Sequence, residues 1–195
     1  NLYRVQARAL FEAVIERRKA GGNPQVEIMI PLTVSGPEFA EARRWVEEVA
    51  VEVALGEKPV VGTMIETPRA ALVAGSLAAH ADFFSIGSND LTQLTFGFSR
   101  DDVAGRFLGH YLELGLLDHD PFDHLDDAAV GELIDLAVKR GRVVAPGLKV
   151  GVCGEHAGHP ASIRRLLAAG VDYLSCSPAR LPVARLAAAR AVLGA

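Results

Sequence analysis

At 195 residues, 50% of them hydrophobic, the chain is long enough to bury one substantial core and short enough to be one domain or a large part of one. Its net charge of -4, with acids and bases interspersed, leaves no basic stripe to neutralise a nucleic-acid backbone or an anionic membrane surface, so neither is an expected partner. Charged residues, Gly or Pro interrupt every apolar run before it could cross a bilayer.

Taken in chain order, apolar residues from Leu2 to Lys19 recur at helical spacing until Gly21-Gly22-Asn23-Pro24 stops them. The chain opens as if inside a helix, without a start methionine or a capping approach, which suggests a cut chain. Val26 to Leu32 reads as a short strand. Ser35-Gly36-Pro37-Glu38 has capping-box spacing and opens a helix towards Val53. Val60 to Ile65 is a second strand, and Thr67-Pro68 caps a helix predicted to reach about Ala79. Phe83 to Ile86 is a third strand, followed by a long polar excursion and a helix over Ala128–Arg140. Leu148 to Val152, Pro160 to Ala169, Val171 to Ser175 and Leu181 to Leu193 complete the series as strand, helix, strand and helix.

Strands apolar on both faces, each followed by a helix, predict an α/β fold with parallel strands between helices. Glu66, Asn89-Asp90 and Cys153 each lie just past a strand's carboxyl end, which suits the catalytic rim of a (β/α)8 barrel. The crevice of an open doubly wound sheet would place them similarly. The strands are too few to close eight, so residues 1–195 read as a single partial domain, the C-terminal half of a TIM-type barrel. No repeat at a fixed short period and no low-complexity linker is visible.

Glu66 and Asp90, at the ends of successive strands, could face one another across a rim. Mg²⁺ takes one or two protein carboxylates and fills the rest of its octahedron with water and substrate oxygens, so the pair matches that ion. Acids at strand-to-helix junctions are also commonly N-caps or solvated. Cys153 is a candidate proton donor or a small buried hydrophobe, and Cys176 reads as structural and buried. Cys153, His156, His159 and Cys176 could supply zinc ligands, though at unfamiliar intervals. Two cysteines outside any dense framework suit a reduced, cytoplasmic compartment.

Three blocks, Gly62-Thr63-Met64-Ile65-Glu66, Phe83-Phe84-Ser85-Ile86-Gly87-Ser88-Asn89-Asp90-Leu91-Thr92-Gln93 and Gly151-Val152-Cys153-Gly154-Glu155, resemble the signatures of the phosphoenolpyruvate (PEP)-utilising enzymes and occur in that family's order. Thr95 to Asp102, Cys153-Gly154-Glu155-His156 and Tyr173 to Pro178 are similar to the pyruvate phosphate dikinase branch in particular, and the resemblance runs over essentially the whole chain. Ser88 stands where Thr is common, and Ala157 where Gly is usual.

The resemblance implies Mg²⁺ as cofactor with Glu66 and Asp90 as its ligands. It places Glu66, Gly87, Ser88, Asn89 and Asp90 against pyruvate or PEP, and makes Cys153 the catalytic proton donor. Arg100, on the loop beyond Asp90, is expected to grip the phosphate rather than pair with Asp101 or Asp102. Arg69 is expected to be structural. The family reaction interconverts ATP, phosphate and pyruvate with AMP, diphosphate and PEP through a phosphohistidine carried on another domain. That domain, the nucleotide-binding domain and the earlier barrel strands lie outside these residues. The chain alone is therefore expected to be inactive, to need its missing N-terminal domains as partners, and to self-associate as a homo-oligomer through uncovered edges. A PEP synthase fragment and a non-catalytic assembly module are the alternatives.

Overall fold

The structure, a computed structural model, describes residues 1–194. The first helix, α1 (Leu2–Lys19), is capped after all: the Asn1 side chain accepts the Tyr3 N–H at 3.1 Å. After β1 (Glu27–Ile30), Ser35 Oγ accepts the Glu38 N–H at 3.3 Å to start α2 (Gly36–Glu52), while the Glu38 carboxylate reaches back to the N–H of Val34 at 2.7 Å. Strand β2 (Val60–Ile65) runs into Thr67, whose hydroxyl accepts the Ala70 N–H.

The helix expected to reach Ala79 is instead broken at Val73 into α3 (Pro68–Leu72) and α4 (Ala74–Ala78). The cause is a competing donor: the Arg140 guanidinium takes the Leu72 carbonyl, and the Ser76 N–H turns to Val73 O at 2.8 Å. After β3 (Phe83–Gly87) the expected polar excursion contains three short helices, α5 (Ser88–Phe96), α6 (Arg100–Ala104) and α7 (Leu108–Glu113). They bury a small separate cluster of Val103, Leu108 and Phe122, with Phe98 and Phe107 packed against it. A π-helical turn at Asp127–Gly131 leads into α8 (Glu132–Val144), then β4 (Lys149–Cys153), α9 (Pro160–Ala168), β5 (Tyr173–Ser175) and α10 (Leu181–Leu193).

All five strands are parallel and stand in chain order, β1-β2-β3-β4-β5. A doubly wound sheet reverses its order at a switch point and places helices on both faces. Right-handed crossovers in unreversed order keep every helix on one face. The helices accordingly pack side by side, α1 on α2, α2 on α4 and α4 on α8. This is a segment of a (β/α)8 barrel, and β1 and β5 each have a free edge among the described residues.

At the amino-terminal end of the strands one device occurs twice. Asp82, just before β3, accepts the Val61 N–H of β2 at 2.8 Å and pairs with Arg43 of α2. Asp172, just before β5, accepts the Val150 N–H of β4 at 2.7 Å and pairs with Arg142 of α8. In both, the following aromatic lies over a cross-strand glycine, Phe83 over Gly62 and Tyr173 over Gly151, where a β-carbon would meet the ring at 2.6 and 2.0 Å. Strands are thereby pinned at the bottom, leaving their carboxyl ends to carry chemistry.

Candidate active site

The parallel register aligns Ile65 with Ile86, and Gly87 with Cys153, so Glu66, Gly87 and Cys153 emerge at one level of the rim. Glu66 is buried, with 3% of its surface exposed, and its Oε1 accepts the Leu32 N–H at 2.6 Å. Leu32 delivers that donor from a left-handed conformation, φ 53°, a strained geometry for a residue with a β-carbon. Asp90 lies in the first turn of α5, directly beyond β3, rather than in an irregular turn.

Burial raises the Glu66 pKa, the Leu32 N–H opposes that rise, and the adjoining Asp90 carboxylate reinforces it. The charge bearing on Glu66 is thus another anion. Two adjoining carboxylates, one of them buried, form an uncompensated hard-oxygen donor pair of the kind a divalent cation neutralises. The residues fit Mg²⁺ on that ground.

Among the described residues no three or more His, Cys, Asp and Glu side chains converge as a metal cluster. The zinc alternative therefore has no geometric basis. His156 is fully buried and already engaged at both ring nitrogens, and His159 instead caps α9 and lies against His124.

Cys153 is half-buried, its Sγ 3.7 Å from Ser85 Oγ and 3.6 Å from the carbonyl of Ile86. Burial raises its pKa, the Ser85 hydroxyl opposes the rise, and the charges of Glu66 and Asp90 add to it. The sulfur therefore keeps its proton at neutral pH. Ser85, Gly151 and Tyr173 form one row across β3, β4 and β5, with the Tyr173 ring lying over the bare Gly151. Cys153 and Ser85 so make a polar pair.

Ser88 and Asn89 are tied to the β4 loop. Ser88 Oγ is 3.0 Å from the Cys153 carbonyl and 2.9 Å from His156 Nδ1, while His156 Nε2 donates to Pro121 O at 2.9 Å. A carbonyl only accepts, so Nε2 carries the hydrogen of the neutral ring, Nδ1 is an acceptor, and Nδ1 and the Cys153 carbonyl share the single hydroxyl hydrogen of Ser88. Burial lowers the His156 pKa and favours that neutral form. Asn89 Oδ1 accepts the Glu155 N–H at 3.1 Å. Gly154 is required between them, because its φ is 121° and a β-carbon there would lie 2.5 Å from Ser88 Oγ.

Arg100 starts α6 and is exposed. Its backbone N–H is bonded by Gln93, and Asp102 pairs with Arg106 instead. Arg69 bonds the Val34 carbonyl, and Cys176 is half-buried against the main core. The larger cavities lie elsewhere. One of about 470 Å³, bounded by Glu47, Leu55 and Lys58, is at the opposite, amino-terminal end of the strands. Glu66, Asp90 and Cys153 meet on an open rim.

A family profile described as PEP-utilising enzyme, PEP-binding domain, matches residues 1–193. The chain belongs to this family. Among its relatives, the pyruvate, phosphate dikinase of Rhizobium meliloti (strain 1021) is 53% identical over 97% of this chain, and the chloroplastic pyruvate, phosphate dikinase 1 of rice, Oryza sativa subsp. japonica, is 52% identical over 98%. The chain spans about a fifth of their length, 22% and 21% respectively. A citrate lyase from Burkholderia xenovorans LB400 superposes with a TM-score of 0.63 at 17% identity, over 95% of this chain and 53% of that one. That likeness concerns the fold alone. The PEP-binding-domain assignment accounts for the alternation of strands and helices; no helix of the described residues is long and apolar enough to cross a membrane.

Sequence reasoning did not single out Ser85, Tyr173 or Leu32, and read His156 as a loop residue near the opening that could support Cys153, or as a zinc ligand. Strand alternation offered a signal for Ser85, which shares a face with Gly87, and for Tyr173 opposite a strand glycine. Leu32 acts through its backbone, which no residue type announces.

Proposed function

We propose that this chain is the C-terminal part of the PEP/pyruvate-binding barrel of a pyruvate phosphate dikinase, residues 1–195 forming one partial domain. The observation that carries the reading is the meeting of two adjoining carboxylates and a protonated thiol at one rim. Glu66 and Asp90 would hold Mg²⁺, which when bound supplies positive charge beside the carboxylate and enolate oxygens of the substrate.

Transfer of the phosphoryl group from PEP to the histidine carrier of another domain leaves the enolate of pyruvate. Cys153 then delivers its proton to the methylene carbon, giving pyruvate and a thiolate; in the opposite direction the thiolate takes that proton back. Ser85 orients the sulfur and stabilises its anion by hydrogen bonding. Asn89, whose oxygen is occupied by Glu155, is free to present its NH₂ to a substrate oxygen, while Gly87 and Ser88 form the wall. Arg100 binds the phosphate.

The phosphoryl carrier and nucleotide site belong to further domains, and the proposed partners are those domains, the rest of the barrel and a second copy through the free edges of β1 and β5. The proposed compartment is the cytoplasm. Titration calorimetry of Mg²⁺ with oxalate tests the site: binding is expected in the wild type and lost in Glu66→Ala and Asp90→Ala. Absence of binding in the wild type would favour a non-catalytic assembly module. A coupled assay is expected to detect no dikinase turnover from residues 1–195 alone.

A further inference from the structure

Gln93 lies three residues after Asp90 on α5 and seven before Arg100, and its side-chain amide makes two bonds of opposite polarity. Nε2 donates to Asp90 Oδ1 at 3.2 Å, and Oε1 accepts the backbone N–H of Arg100 at 2.9 Å. A carboxylate only accepts and an N–H only donates, so the orientation of the amide is fixed by its partners. The second bond is a helix cap supplied from outside. Helix α6 begins at Arg100, the preceding Ser99 makes no side-chain cap, and the Gln93 oxygen satisfies one of the orphan donors at that end. Gly97, left-handed at φ 67°, turns the chain back after α5, and the Gln93 carbonyl receives the Phe98 N–H at 3.0 Å. Backbone and side chain of one residue therefore hold the turn that carries Arg100 and touch the carboxylate of Asp90.

We propose that Gln93 is a positioning residue that locks Asp90 and the Arg100 arm into one unit, so that the grip on the divalent cation and the grip on the substrate phosphate are set together. This rests on the roles given above to Asp90 and Arg100. It goes beyond them in stating that the two contacts are coupled through a third side chain. Residues that orient a metal ligand typically cost tenfold or more in metal affinity when removed.

The test uses the protein at its natural length, with Mn²⁺ as probe, and reads Mn²⁺ affinity by calorimetry, KM and kcat for PEP, and the thermal midpoint. Gln93→Leu removes both bonds. It is expected to weaken Mn²⁺ binding by about tenfold or more and to raise the PEP KM by a similar factor, with the thermal midpoint lowered only by the few degrees that a lost helix cap brings. Gln93→Glu keeps an acceptor for the Arg100 N–H but sets a carboxylate against Asp90. It is expected to return the PEP KM at saturating Mn²⁺ to within about twofold of wild type while the Mn²⁺ affinity stays altered. If Gln93→Leu fails to fold, Gln93→Glu decides on the same split. Mn²⁺ affinity and KM both at wild-type values in the folded variants, with Glu66→Ala still abolishing Mn²⁺ binding, would overturn the coupling and leave the function standing. Mn²⁺ binding that survives Glu66→Ala would overturn the reading of the site itself.

Discussion

Gly87→Ala is a one-methyl perturbation whose consequence can be worked from the site. The backbone at Gly87, φ -84° and ψ 81°, lies outside the left-handed region, so an L residue meets no backbone penalty there. The new β-carbon would lie 2.6 Å from Glu66 Oε2, 2.7 Å from Met64 Sδ and 2.8 Å from Glu66 Cβ. Ordinary contact begins near 3.4 Å, so the Glu66 carboxylate must retreat by about 0.8 Å. Met64 is flexible, but the Glu66 Cβ is fixed to the strand, and overpacking of this kind costs about 1–3 kcal/mol. For a chain of this size that lowers the thermal midpoint by roughly 2–12 °C. A misplacement approaching 1 Å can cost about a hundredfold in a site of fixed geometry, so Mn²⁺ affinity should fall at least about tenfold. Calorimetry and thermal denaturation would be run beside Gly105→Ala, whose β-carbon meets nothing within 4 Å. A cooperatively folded Gly87→Ala protein with wild-type Mn²⁺ affinity would refute the placement of Glu66 as a cation ligand.

Glu66 titrates above its ordinary value because of burial and the Asp90 charge, so the folded chain binds that proton more tightly than the unfolded chain. Its contribution to stability is full below the unfolded value of 4.5 and is lost as pH rises through the folded value. In chelator, Glu66→Gln keeps an oxygen for the Leu32 N–H and should raise the urea midpoint at pH 7 relative to wild type, with the difference shrinking towards pH 4; a pH-independent difference would contradict it. Ser85→Ala removes a hydroxyl that holds the Cys153 pKa down against burial, so thiolate absorbance should appear at higher pH than in wild type, and a downward shift would be the wrong sign. Asp172→Ala removes the acceptor of the Val150 N–H and the partner of Arg142, and should cost about 1–3 kcal/mol in urea denaturation without changing cation affinity. Reduced Mn²⁺ binding at full stability would place Asp172 in the site instead of beneath it.

The barrel segment was legible because its strands are short apolar runs punctuated by unambiguous stops: β2 and α10 occupy the expected residues, and Thr67 caps as its spacing suggests. The break at Val73 was not legible, since it depends on Arg140 of a distant helix competing for a carbonyl. Helices α5, α6 and α7 were missed because each is short and lies in a polar stretch, and the cap for α6 comes from Gln93 and not from its neighbour Ser99. That Glu66, Asn89-Asp90 and Cys153 share one end of the strands could be read from the sequence because a parallel register brings such ends together, whereas Gly87 and Ser88 entered only through the family resemblance. Their support could not: Tyr173 lies over Gly151 of the neighbouring strand, and the role of His156 is fixed only when Ser88 and Pro121 are found on either side of its ring. The doubled clamp of Asp82 and Asp172 also escaped, because its partners lie on different strands and helices and form no short repeat.

Anomalous diffraction from crystals grown with Mn²⁺ and oxalate would test the central claim most directly, because it locates the ion without reference to activity. One peak is predicted, about 2.1 Å from a carboxylate oxygen of Glu66 and one of Asp90, with oxalate filling the side towards Cys153. A peak among His119, His124 and His159, or none at the ends of β2 and β3, would contradict it.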